Sequence, residues 1–469
     1  MRRLICAGLL FWLLLPSLAS ANMLDFLGAS SRSQGMGSTG VANASDFSVL
    51  FYNPARMVLL RNSISLEIQH GYADMSILLA PRPGGYDPES YEFRSTRADS
   101  REIPSFFGIT LGGVFDFGTD VVSAGFLVYL PASGVGNQES HFAQETEQFF
   151  SNKLQFNMVG QRLQTQSILA GLSLRATDWL QVGLGAAFTL ASYTDNDVFT
   201  PNPVSPGRVD LNVSIEQDSR AALITGLNFE LGHGLSAGLA VRDEQAFELV
   251  GSNHVTLHGL EGSDSGKLEQ PLDLFLHYSP RAYSGGVAWR HKGLQLALDG
   301  SFQQWSRFKD NHGNKGGFND AFEVGAGAEL DISRLKVRLG SRFTQSPVPE
   351  QTGRTNFVGN DRYMLASGVG GKLAVFGTNI GVDLHMQLHM MPQRSHTKSM
   401  QDSYPSCTSD TTSLCDEDPD VSGLQTGNPG FPAYSSGGFI MSGGLTVTWE
   451  FGREKGGPGN NAPKNGGTQ

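Results

Sequence analysis

Charge is scarce in this chain. Asp, Glu, Lys and Arg make up 17% of its 469 residues, against a usual ~25%. The formal net charge is −11, an acidic balance that argues against a nucleic-acid binder, whose footprint would be a basic patch or stripe. Long apolar runs are missing too. No stretch of ~18 apolar residues follows the N-terminus, which excludes a helical membrane protein. Cysteine is nearly absent, with three residues. Glycine, by contrast, is abundant at 58 residues, and phenylalanine reaches 29. So aromatic a chain is not disordered. Many glycines, many aromatics and no long apolar runs point to short strands joined by turns, an all-β protein.

Arg2 and Arg3 precede an apolar stretch from Leu4 to Leu15, and Ala19-Ser20-Ala21 supplies small residues for cleavage. Residues 1–21 therefore read as a secretory signal rather than an anchor, because the run is short and ends at Pro16. Cys6 leaves with it. Cys407 and Cys415 remain as an even pair in an exported chain, and a disulfide between them is expected.

The dominant pattern beyond residue 61 is alternation. Leu180, Val182, Leu184, Ala186, Phe188 and Leu190 interleave with Gln181, Gly183, Gly185, Ala187 and Thr189. Phe439, Met441, Leu445, Val447, Trp449 and Phe451 do the same near the C-terminus. Successive strand side chains point to opposite faces, so each segment has an apolar face and a polar one. A soluble sandwich alternates as well. These segments, however, run about 12–16 residues, longer than the usual 5–6 and enough to cross a bilayer while tilted. Tyr72, Tyr193, Trp179, Trp305, Trp449 and Phe451 lie near segment ends, where interfacial girdles form.

Fourteen such segments are predicted over 62–451: 62–75, 102–115, 120–131, 161–176, 179–193, 218–231, 235–250, 272–291, 294–307, 318–331, 335–346, 361–375, 378–391 and 435–451. Short connections fall near Phe117, Thr177, His233, Lys292, Ser333 and Gly377. Long ones fall at 76–101, 132–160, 194–217, 251–271, 308–317, 347–360 and 392–434. Short turns at one end and long loops at the other mark a bacterial outer-membrane β-barrel with both termini on the periplasmic side. Outer-membrane lipid and lipopolysaccharide would then surround a monomer. Residues 452–469, rich in Gly, Asn, Pro and Lys, read as a disordered tail.

Residues 22–61 do not alternate. They carry Gly35-Met36-Gly37, Ala42, Asp46 and Asn53-Pro54-Ala55. A fourteen-strand barrel is wider than the eight-strand kind that side chains fill, so this segment is expected inside it as a hatch. At these residues the sequence resembles the FadL/TodX family of outer-membrane transporters for long-chain fatty acids and hydrocarbons. Ile103-Pro104-Ser105-Phe106, Leu298-Asp299 through Trp305-Ser306-Arg307-Phe308, and Asn360-Asp361-Arg362 are similar to the family as well. Two positions depart from it: Phe47 stands where a second acidic residue is frequent, and Arg56 replaces the Gly after Asn-Pro-Ala. The resemblance implies passive uptake of hydrophobic small molecules (fatty acids, aromatics or alkanes) with no cofactor, and a sideways exit at a strand kink, for which Gly125 on the third segment is the candidate.

Alternation places Lys336, Arg338 and Arg342 on the inner face, with Arg175, Arg220 and Arg242 on other segments. Arg338 and Arg342 are candidates to hold a substrate carboxylate, or else they pair with Glu67, Asp299 or Glu230 across the lumen. Leu127 and Tyr129 add an apolar inner wall. Enzyme chemistry finds no footing: His385 and His389 on one strand stand about 13 Å apart, and neither a Gly-x-Ser-x-Gly turn nor an HExxH helix occurs. His70 falls in the apolar register of Ile64, Leu66 and Ile68, either at the interface or displaced by a bulge. The tip Asp416-Glu417-Asp418-Pro419-Asp420 lacks a calcium-loop pattern, so it reads as a solvated acidic tip in preference to a cation site. A protein-secretion partner of the same superfamily and a general porin are the rival readings.

Overall fold

Alternating segments closed into a cylinder leave no sheet edge unpaired, and that is the architecture found. The computed structural model describes residues 23–79, 106–132, 167–189, 192–201, 208–217, 220–258, 266–309, 315, 317–352, 357–375, 378–397 and 433–452. Eighteen strands occur in them, and fourteen form one closed antiparallel barrel. In chain order the wall is β1 (Asn62–Leu79), β2 (Phe106–Phe115), β3 (Val122–Pro131), β4 (Ser167–Arg175), β5 (Leu180–Thr189), β8 (Arg220–Gly232), β9 (Leu235–Arg242), β12 (Ala282–His291), β13 (Leu294–Gln303), β14 (Ala321–Ile332), β15 (Leu335–Thr344), β16 (Arg362–Val375), β17 (Thr378–Thr397) and β18 (Ala433–Phe451). Closure is made by β1 on β18, from Asn62 opposite Phe451 to Leu79 opposite Tyr434.

The remaining strands correct the sequence reading. The connections expected at 194–217 and 251–271 as loops contain β6 (Ser192–Pro201), β7 (Arg208–Gln217), β10 (Gln245–His258) and β11 (Gly266–Ser279). They pair in the order β11-β10-β7-β6, which repeats the wall order β12-β9-β8-β5 below them. The predicted segments 235–250 and 272–291 each break where this second sheet begins, at Asp243–Glu244 and at Pro280–Arg281. Alternation runs through both breaks, so period two by itself does not reveal them.

The short turns expected near Phe117, Thr177, His233, Lys292 and Ser333 are found, and the one near Gly377 lies outside the described residues. Phe117, His233, Lys292 and Ser333 all have positive φ. His233-Gly234 and Lys292-Gly293 are two-residue hairpin loops with both residues left-handed, the backbone that matches the twist of the flanking strands.

Burial is inverted relative to a soluble protein. On β1, Ser63, Ser65, Glu67 and Gln69 are buried while Ile64, Leu66, Ile68 and Tyr72 are exposed. Met386 is 67% exposed and Leu339 63%. Such an apolar band around a closed wall belongs in lipid. Phe117, Trp179, Trp289 and Trp449 ring the short-turn end, and Tyr72, Tyr283, Phe302, Phe322 and Tyr363 the other. His70 is exposed in regular register with Gly443 and Phe107, without a bulge. Trp305 is not part of a girdle. It is buried with Tyr278, Phe308 and Phe318, because the strand ends at Gln303 and the chain turns inward there. The side chain of Tyr193 lies outside the described residues, as do 1–22, Cys407, Cys415, the acidic tip 416–420 and the tail 453–469.

Residues 23–60 fold as short helices at Met23–Leu27, Ser31–Gly35 and Val49–Tyr52, then a 3₁₀ turn at Pro54–Leu59. Asn53 is extended, as a residue before proline prefers, and its side chain accepts from the Ala55 N–H at 3.1 Å. This segment touches every wall strand. It hydrogen-bonds Glu67 of β1, Leu227 of β8, Ser236 of β9, Asp299 of β13, Glu329 of β14, Arg342 of β15, Arg362 of β16, Gln387 of β17 and Thr446 of β18. On the remaining strands it packs against Gly112, Gly125, Gly171, Gly183 and Gly286. Contact with all fourteen strands is possible only from within the barrel.

Gly37 has φ +73, and a Cβ there would stand 2.7 Å from the carbonyl oxygens of Ala326 and Ser341 in the wall. No larger residue fits without moving backbone. Gly37→Trp is expected to unseat the segment at a cost of at least about 1–3 kcal/mol while the barrel still folds, since no strand ladder passes through residue 37. Retained heat-modifiable migration together with new protease cleavage inside 23–60 checks this.

Candidate functional site

A cavity of about 140 Å³ lies between the N-terminal segment and strands β8, β9 and β12–β16. Two layers build it. The segment contributes Leu24, Asp25, Phe26, Phe51 and Tyr52, the wall contributes Ile224, Arg242, Glu323, Arg342 and Arg362, and Tyr278 of β11 and Trp305 after β13 complete the lining. The lining is thus aromatic with three guanidinium groups set into it.

The three arginines are not equivalent. Arg242 meets Asp25 at 2.6 Å and lies 5.0 Å over the Phe51 ring. Arg342 pairs with Glu323 at 2.9 Å and donates to the carbonyls of Gly37 and Ser38 at 3.1 and 2.5 Å. Arg362 is 7% exposed, lies 4.0 Å over the Phe26 ring and donates to the Phe26 carbonyl at 2.9 Å and to Thr344 Oγ1 at 3.2 Å. Among the described residues no carboxylate is within ion-pairing distance of it. A guanidinium that has no close ion pair among the described residues and lines a cavity is suited to an anionic group.

Of the residues singled out from sequence, Arg342 lines this cavity and Arg338 does not. Arg338 is 1% exposed, held by Glu329 at 2.7 Å and Asp383 at 2.6 Å. Lys336 is likewise bound to Glu329 and Asp331. The expected counter-ions Glu67, Asp299 and Glu230 serve the N-terminal segment instead. Glu67 accepts from the Ser30 N–H, Asp299 from those of Gly40 and Val41, and Glu230 faces Arg56 at 3.5 Å. Leu127 and Tyr129 are buried with Leu24, Leu27, Phe47 and Leu50, away from the cavity. Gly125 gives room to Met57 and Leu50, and the ladders on both sides of it are unbroken. His385 and His389 both face inward, His389 stacked on Phe26 at 5.0 Å.

Arg362, Asp25 and Phe26 escaped the sequence reading. Arg362 shares the inward parity of Met364 and Ala366, so its direction was available. That no carboxylate among the described residues pairs with it was not, because that depends on every facing strand.

No protein-family model matches the sequence, and no curated protein is similar to it. Solved structures are similar in shape. A Pseudomonas aeruginosa FadL homologue superimposes with a TM-score of 0.54 at 14% identity, over 93% of this chain and 99% of that one. The monoaromatic hydrocarbon channel CymD gives 0.50 at 13%, over 93% and 100%. The toluene transporter TodX of P. putida gives 0.50 at 12%, over 90% and 98%. Nearly complete coverage with so little shared sequence is a likeness of architecture, and this chain has the fourteen-stranded barrel fold of the FadL homologue, CymD and TodX.

Proposed function

We propose that the chain is a monomeric outer-membrane channel for passive uptake of hydrophobic compounds, with residues 22–61 as its hatch and both termini in the periplasm. The observation that carries this is the cavity itself, set between the N-terminal segment and the wall and lined by the aromatic rings of Phe26, Phe51, Tyr52, Tyr278 and Trp305 beside its charged groups. An apolar solute gains little from a water-filled pore and needs a dry, shaped pocket. The volume of about 140 Å³ is close to the ~150 Å³ of a cavity that holds benzene. The hydrocarbon channels of the same fold support the reading. A general porin is disfavoured because the lumen is occupied by a segment bonded to strands all round.

Within that class, Arg362 suits a carboxylate head, so fatty acids are substrates alongside neutral aromatics. Cells with this protein as their outer-membrane route should take up both decanoate and toluene saturably. Arg362→Gln should slow decanoate uptake by about tenfold, the scale of one charge-assisted hydrogen bond, and leave toluene uptake unchanged. Failure of the intact protein to support either compound overturns the proposal.

A further inference from the structure

The outer face of the wall is not evenly clad. On β14 the outward residues Val324 and Leu330 are bulky, whereas Ala326 and Ala328 between them are small. The next strand stands taller, with Leu298 opposite Ala326 and Leu296 opposite Ala328 on β13, and Leu339 of β15 lies opposite Ala328 from the other side. The result is an open apolar groove of about 610 Å³ on the outside of the barrel, bordered toward β12 by Val287 and Trp289. It does not lead into the lumen, because Met36 and Gly37 of the N-terminal segment close on Gly327 and Gly340 from within.

The short-turn end of the same strands is cationic. Lys292 lies in the turn between β12 and β13, and Arg334 in the turn between β14 and β15. The two turns are neighbours because β13 pairs with β14. Both side chains are exposed, and among the described residues neither has a carboxylate within ion-pairing distance. Asp331 beside them is taken by Lys336 at 2.5 Å and faces Arg290 at 3.8 Å. Across the barrel the turn between β2 and β3 carries Asp120 instead. His291 stacks on Trp289 at 5.5 Å, between the cations and the groove. From Ile332 at the turn to Ala328 on the groove floor is about 13 Å of strand. That separation puts the cations at head-group depth and the groove in the hydrocarbon.

We propose that this groove holds one phospholipid with an anionic head group, an acyl chain lying over Ala326 and Ala328 and the phosphate between Lys292 and Arg334. The inference rests on the channel reading for its orientation, which puts the short turns, and hence the head group, on the periplasmic side. A second copy of the chain is the other occupant an apolar face can take, and the geometry opposes it. A two-fold contact brings one patch onto itself. It would set trough against trough and each pair of cations against its like. A flexible acyl chain fills a trough, and a phosphate satisfies both cations at once.

The test titrates the full chain in dodecyl maltoside with palmitoyl-oleoyl phosphatidylglycerol, or with phosphatidylcholine of the same chains. Native mass spectrometry counts the bound lipid. One phosphatidylglycerol should bind about 25-fold more tightly than phosphatidylcholine, the scale of two cations near a lipid surface. Lys292→Gln with Arg334→Gln should abolish that preference and leave phosphatidylcholine binding as it was. Lys292→Arg with Arg334→Lys should keep it. Ala326→Leu with Ala328→Leu fills the groove and should weaken both lipids by at least about tenfold, with the barrel still heat-modifiable because both side chains point outward. An unchanged preference in the glutamine variant, or unchanged binding in the leucine variant, overturns the site. So does a lipid-free dimer of the unaltered chain that the leucine variant dissolves. Lipopolysaccharide bound in place of phosphatidylglycerol, and lost in the glutamine variant, overturns the assigned side of the membrane. Absence of decanoate and toluene uptake by the unaltered protein overturns the channel reading and leaves the lipid count standing, so the two failures are distinct.

Discussion

Deleting residues 22–56 will convert the barrel into an open pore. A planar bilayer containing the deleted protein should carry a steady ionic current more than about tenfold above that of the intact chain, and small sugars should enter liposomes that hold it. Fourteen strands enclose a lumen too wide for wall side chains to fill, and the segment removed is the one bonded to strands all round. The wall should survive, since its ladders are strand to strand and close at β1 and β18 without that segment. Saturable uptake of decanoate and toluene should be lost, because Leu24, Asp25, Phe26, Phe51 and Tyr52 form one side of the cavity. A correctly inserted deletion with unchanged leakage and unchanged uptake would sink the hatch and the transporter together, and the secretion-partner reading would move ahead.

The second large effect is expected from Glu329→Gln. This buried carboxylate receives Arg338 at 2.7 Å, Arg32 at 3.1 Å, and Lys336 and Arg290 at 3.2 Å each. Arg32 belongs to the N-terminal segment and the other three to the wall, so Glu329 anchors one to the other. Breaking a buried ion pair by neutralising one member costs about 3–5 kcal/mol, since the remaining charge is left in the interior. Arg338 keeps Asp383 and Arg32 keeps Gln295 and the Asn43 carbonyl, which places the effect near the lower bound. About 3 kcal/mol corresponds to roughly a hundredfold shift in seating, at about 1.4 kcal/mol per tenfold. A cysteine introduced by Ser33→Cys, at a fully buried site on the segment, reports this as thiol labelling. Labelling should rise by about a hundredfold with Glu329→Gln while the barrel keeps its heat-modifiable form. Equal labelling with and without Glu329 shows that the anchor lies elsewhere.

Sequence alone determined the wall. Period two is a local property, set by residues one and two apart, so it carries the number of barrel strands, which side chains face inward, and the positions of the tight turns at His233-Gly234 and Lys292-Gly293. It placed Arg338 and Arg342 on the same inner face and had no means of separating them. Only the tertiary structure decided that Arg338 is locked between Glu329 and Asp383 while Arg342 and Arg362 reach the cavity. It also turned Trp305 inward and raised β6, β7, β10 and β11 as a second sheet where loops were expected. The reason is range. A partner across the lumen is separated by hundreds of residues, as Arg32 is from Glu329, and which carboxylate meets which cation depends on how the N-terminal segment sits against all the strands at once.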